Sequence, residues 1–109
     1  MWIFTKNGFF SAVQHLDIPD CLLVRSRLKG DLNRFITAHN IKTLVQVTPN
    51  SDYRYRAIIK KTDFAKAVEA EAESIDYSNF KNAVHDGSPR DTAYMKCWYA
   101  MLQAQESEE

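Results

Sequence analysis

The chain has 109 residues, 45% hydrophobic and 26% charged, with 14 basic side chains against 14 acidic ones and two cysteines. This composition excludes a disordered tail and a disulfide-stapled mini-protein, and no apolar run approaches the roughly 20 residues of a helical membrane span. The neutral sum hides a split: residues 1–61 hold ten Lys and Arg against four Asp, and residues 62–109 hold four Lys and Arg against ten Asp and Glu.

Met1-Trp2-Ile3-Phe4 is apolar, but Lys6-Asn7-Gly8 breaks it and no small-residue cleavage pattern follows, so it is not read as a signal peptide. A cytoplasmic protein is the default expectation, with Cys21 and Cys97 as buried, reduced thiols. Trp2-Ile3-Phe4-Thr5 and Phe9-Phe10-Ser11-Ala12-Val13 flank Asn7-Gly8, which predicts a hairpin whose turn uses positive φ angles. Asp17-Ile18-Pro19-Asp20 is the next turn, followed by a strand over 21–27. A helix starting at Gly30-Asp31 carries the stripe Leu28, Leu32, Phe35 and Ile36 and ends near His39-Asn40.

The second unit repeats this order. Residues 44–47 predict a short strand, Pro49-Asn50-Ser51-Asp52 a turn, and residues 53–60 an alternating strand. Tyr53, Tyr55, Ala57 and Ile59 take one side of it, and Arg54, Arg56, Ile58 and Lys60 the other. Thr62 is the expected N-cap of an acidic helix with Phe64, Ala67, Val68 and Ile75 inward. The segments 29–36 and 61–68 share a pattern at an offset of 32 residues, which fits either an internal duplication or the chemistry common to strand-to-helix junctions.

The last third is helical. Asp76 or Ser78 is expected to start a short helix with Phe80, Ala83 and Val84 inward, stopped at Asp86-Gly87. Ser88-Pro89-Arg90-Asp91 combines an N-cap, a first-position proline and an acid three residues after the cap. The helix it starts carries Tyr94, Trp98, Met101 and Leu102, a stripe read as core, and residues 103–109 read as a frayed acidic tail.

The fold class expected is α+β: an antiparallel sheet of four or five strands from two β-β-α units, helices on one face and a C-terminal helical pair, loosely ferredoxin-like. One domain accommodates it, with units over 1–40 and 41–75, C-terminal helices over 76–103 and a tail over 104–109.

No catalytic, cofactor or metal site is read from the residues. His15, His39 and His85 fall on separate elements without ligand spacing, and Gly8, Gly30 and Gly87 are isolated. The candidate binding surface is Arg25, Arg27, Arg54, Arg56 and Lys60, a basic stripe if helices cover the other sheet face. By strand alternation Tyr53 and Tyr55 face away from these arginines, as core residues do. Trp2 and Tyr99 are the candidate exposed aromatics. Glu69, Glu71, Glu73 and Asp76 offer a competing use of the charge, by pairing with the basic strands within one molecule or between two.

Met1-Trp2-Ile3-Phe4-Thr5 with Gly8-Phe9-Phe10-Ser11-Ala12-Val13-Gln14, Leu23-Val24-Arg25-Ser26-Arg27, Tyr53-Arg54-Tyr55-Arg56-Ala57 and Ile75-Asp76-Tyr77-Ser78-Asn79-Phe80-Lys81, with Tyr94 and Trp98, resemble an uncharacterised family of small single-domain bacterial proteins. The resemblance implies a stand-alone bacterial or mobile-element protein and carries over no site residue. The functional expectation is a non-enzymatic protein-interaction or regulatory module, self-associating or bound to another protein. The alternative is a nucleic-acid-binding module using the basic sheet face, and the third is a small enzyme without a recognisable motif.

Overall fold

A computed structural model describes residues 1–108. Contacts divide the chain into two compact units, Met1–Ile75 and a second from Asp76 onward. The architecture is α+β, with one five-stranded antiparallel sheet.

In the first unit, β1 (Trp2–Thr5) and β2 (Gly8–Gln14) form the expected hairpin around a two-residue loop. The turn is built differently from the sequence expectation, because neither Lys6 nor Asn7 has a positive φ. Thr5 holds it instead: its hydroxyl accepts from Asn7 N–H at 3.2 Å and donates to Gly8 C=O at 3.1 Å. Gly8 is required for space, since a Cβ there would lie 2.6 Å from Phe10 Cζ.

β3 (Cys21–Ser26) extends the hairpin to three strands, and α1 (Asp31–Ala38) follows. Gly30 precedes α1 with φ of 90°, and a side chain at Gly30 would also strike Arg34, which folds back onto Asp31 at 2.6 Å. Leu32, Phe35 and Ile36 are buried as expected, whereas Leu28 lies before the helix and is exposed.

β4 is only Gln46–Val47, shorter than the expected strand, and Leu44 is exposed. Upstream of the pair, the Thr43 hydroxyl donates to Ile58 C=O at 2.8 Å, so a side chain supplies the bond that a longer ladder would make. β5 (Tyr55–Lys60) runs straight into α2 (Lys61–Glu73). The helix therefore starts before Thr62, which is not its cap; Lys61 N–H donates to Asp20 C=O at 2.9 Å and satisfies one free donor of the first turn. Ile75 lies beyond the helix and is exposed, while Phe64 and Ala67 are buried and Val68 is partly so.

The segments that share a sequence pattern thus enter their helices differently. Asp31 is the first residue of α1, and Asp63 is the third of α2.

The strand order is β1-β2-β3-β5-β4. Register assigns the two faces: Ala12, Val24 and Ala57 stand in one row, and Leu22 opposes Ile59. These side chains meet Leu32, Phe35 and Ile36 of α1 and Phe64 and Ala67 of α2 in a single core. The first unit's helices therefore occupy one face, and the intervening residues project from the other.

In the second unit, α3 (Phe80–Val84) is capped by Asn79, whose side chain accepts from Asn82 N–H at 3.0 Å. Asn79, and neither Asp76 nor Ser78, therefore starts it. Val84 is buried, Phe80 is partly buried and stacks on Tyr94, and Ala83 is exposed. α4 (Pro89–Glu106) begins as expected, Ser88 Oγ accepting from Asp91 N–H at 3.2 Å ahead of Pro89. It continues through Glu106, into the segment read as a frayed tail.

The stripe read as core divides. Tyr94 is buried, but Trp98 is half-exposed and Met101 is 71% exposed. The physical reason is length: α3, about 7.5 Å long, covers little more than one turn of α4, about 27 Å long.

Candidate nucleic-acid interface

The open sheet face is built by register. Trp2 of β1 pairs with Ser11 of β2, Ser11 with Arg25 of β3, Arg25 with Arg56 of β5, and Arg56 with Gln46 of β4. Five side chains from five strands therefore form one row across the sheet. Beside it stand Phe4 and Phe9 on one flank, and Val13, Leu23 and Ile58 on the other.

The centre of the row is electrostatically unusual. Arg25 and Arg56 are directly opposed like charges, an arrangement that destabilises a ladder unless something else holds it. Among the described residues no carboxylate pairs with Arg25, Arg27, Arg54, Arg56 or Lys60. Arg25 Nη2 donates to the buried Ser11 hydroxyl at 3.0 Å, and its guanidinium lies 4.5 Å from the centre of the Tyr53 ring. Arg27 covers the same ring at 4.0 Å and donates to Asp52 C=O at 2.8 Å. Arg56 Nη2 reaches Tyr53 C=O only at 3.5 Å. The Nε atoms of Arg25 and Arg56 are both buried without a partner. Leaving a buried donor unpaired costs about 1–3 kcal/mol.

Tyr53 departs from the sequence expectation. β5 starts at Tyr55, so strand alternation does not reach back to Tyr53, which is 4% exposed beneath Arg25 and Arg27. Tyr55 does pack against the core. The candidate basic residues thus separate by position: Arg25 and Arg56 meet at the centre, and Arg27 closes over Tyr53. Arg54 is exposed just before β5, and Lys60 stands at the far end of β5, opposite Cys21.

Of the candidate aromatics, Trp2 ends the row and is 69% exposed, its indole in a T-shaped contact with Phe9 at 5.9 Å. Tyr99 is exposed on α4, in the other unit. Sequence reasoning missed Ser11, Phe9 and Gln46. Ser11 was within reach, because a two-residue loop that pairs Thr5 with Gly8 makes Trp2 the partner of Ser11.

The acidic helix does not neutralise the arginines. α2 packs through Phe64 and Ala67 on the opposite face, and its Glu71 accepts from His39 at 3.0 Å. The other histidines also have local partners. His15 Nδ1 accepts from Asp17 and Ile18 N–H at 3.1 Å each, and His85 Nδ1 lies 3.0 Å from Asp91 Oδ2. Among the described residues, no three His, Cys, Asp or Glu side chains converge as a metal-binding group.

An open cleft of about 550 Å³ lies beside α1, but its charged groups serve local contacts: Asp31 pairs with Arg34, and Glu71 with His39. Cys21 is buried, and that burial together with the neighbouring Asp20 carboxylate pushes its thiol pKa up. Cys97 is exposed, against the expectation of two buried thiols. Among the described residues no helix is long and apolar enough to cross a membrane. No family model, curated protein or solved structure matches the chain. The chemistry of the row therefore carries the functional argument.

Proposed function

We propose that the protein is a binding module whose open sheet face takes a nucleic acid through its phosphates. The observation that carries this reading is the Arg25–Arg56 pair: two opposed guanidinium groups that no carboxylate among the described residues neutralises. Phosphates seated over the pair supply the missing negative charge. Arg27, Arg54 and Lys60 extend the positive field beyond the centre of the row.

The experiment is titration of the full chain with labelled mixed-sequence oligonucleotides at low and moderate salt. Binding at low salt, weakened at least tenfold in Arg25→Gln/Arg56→Gln, is the expected result. Absence of binding even at low ionic strength rejects the reading.

A second reading rests on α4, where Met95, Trp98, Tyr99 and Met101 expose apolar surface of the kind that marks protein interfaces. It assigns self-association to that helix. Sedimentation across concentration tests it, and a strict monomer at all concentrations removes it.

A further inference from the structure

We infer that the nucleic acid is single-stranded and crosses the strands along the Trp2–Ser11–Arg25–Arg56–Gln46 row, one base stacking on Trp2 while its phosphates sit at Arg25 and Arg56. This inference rests on the nucleic-acid reading and goes beyond it in strand state, direction and footprint.

Three observations carry it. Trp2 is a large apolar side chain left mostly bare on an edge strand, and the T-shaped contact with Phe9 steadies the indole plane. Aromatic rings presented this way stack unpaired bases, which every base offers irrespective of sequence.

The surface is the face of a sheet, and its row crosses all five strands. Reading a duplex calls for an element that enters a groove, whereas a single strand can lie across an open sheet and offer its bases to it.

The third observation is spacing. At about 4.8 Å between neighbouring strands, Arg25 stands about 10 Å from Trp2 along the row and Arg56 about 14 Å. That span accommodates two or three nucleotides, the number that sheet-face modules stack. Arg25 is preorganised for its part by Ser11 and the Tyr53 ring, so little ordering remains to be done on binding. Exposed Gln46 at the far end adds an amide able to meet a base edge.

The test uses the full chain carrying Trp98→Phe, which leaves Trp2 as the sole tryptophan. Its fluorescence is followed during titration with single-stranded DNA, single-stranded RNA and a blunt duplex of the same sequence, with binding measured independently by anisotropy of the labelled strand. Polyphosphate and polyglutamate are run as base-free polyanions. The expected result is quenching that saturates with the anisotropy signal for a single strand, weaker duplex binding, and roughly tenfold weaker single-strand binding in Trp2→Ala. Trp2→Phe should recover most of that loss. Single-strand binding unchanged by Trp2→Ala and without quenching overturns the inference while leaving the phosphate reading in place. Equal affinity for duplex or polyphosphate overturns it in the same way, and equal affinity for polyglutamate, which carries no phosphate, rejects both. No binding to any nucleic acid rejects both.

Discussion

The two faces of the sheet are made by the same strands, and adjacent residues along β2, β3 and β5 serve opposite ends. On the helix side, Phe10, Ala12, Val24, Ala57 and Ile59 are closed into one core with α1 and α2. On the other side, one residue along, stand Ser11, Arg25, Arg56 and Ile58. The first face is explained by the hydrophobic effect acting within the chain. The second contains like charges in register and unpartnered guanidinium nitrogens, which cost stability. An uncompensated cost repeated across neighbouring strands is a better pointer to function than a charge count. This chain sums to zero.

The contrast is broken most directly at β5, where Ala57 is 2% exposed and Ile58 is 37% exposed. Ala57→Asp places an unpaired charge in the core and should leave the protein unfolded by circular dichroism. Ile58→Lys should fold normally. Equal damage from both would mean that the open face is covered.

The next contrast is between two neighbouring phenylalanines. Phe10→Ala empties a site enclosed by Phe35 and should cost about 3–5 kcal/mol in denaturant unfolding. Phe9→Ala, half-buried on the open face, should cost clearly less. Reversed ranking would invert the face assignment.

Much of this arrangement was legible in the sequence, and the failures have identifiable causes. The Asn7-Gly8 hairpin, the alternation of β5 and the Ser88-Pro89 start of α4 are local signals, and each element formed where its signal lay. Tyr53 was misassigned because alternation was extended past the true start of β5. Thr62 failed as a cap because a strand entering a helix directly takes its acceptor from elsewhere in the fold, here Asp20 C=O. Trp98 and Met101 have core spacing on α4, but core status also depends on the length of the partner helix, which periodicity does not report. Arg25 and Arg56 were individually visible as candidates. Their meeting was not, because it depends on how β5 registers against β3 across a long connection.

Smaller effects extend the comparison of covered and bare positions to other groups. Cys97 should react with a thiol reagent in the native protein, while Cys21, buried and with its pKa raised, reacts only on unfolding. Equal labelling rates would contradict the burial of β3. At the start of α4, hydrogen bonds from Ser88 lower the Asp86 carboxyl pKa. Its stabilisation is therefore present above the ordinary carboxyl range and is lost as pH falls through the lowered value. The stability difference between the native chain and Asp86→Asn should shrink in acid; a gap independent of pH would rule that contribution out.

The smallest expected change is in the stability of Arg25→Gln/Arg56→Gln. Relief of two opposed like charges is offset by loss of the Ser11 hydrogen bond and of the cover over Tyr53, so unfolding free energy should stay within about 1 kcal/mol of the native chain. The same variant should show its large effect in binding.

The salt dependence of single-strand binding tests the central claim most directly. If the opposed arginines neutralise two phosphates, the slope of log K against log salt should be shallower by about 1.4 in Arg25→Gln/Arg56→Gln than in the native chain. An unchanged slope would show that the phosphates sit elsewhere and that the arginine pair is not the binding centre.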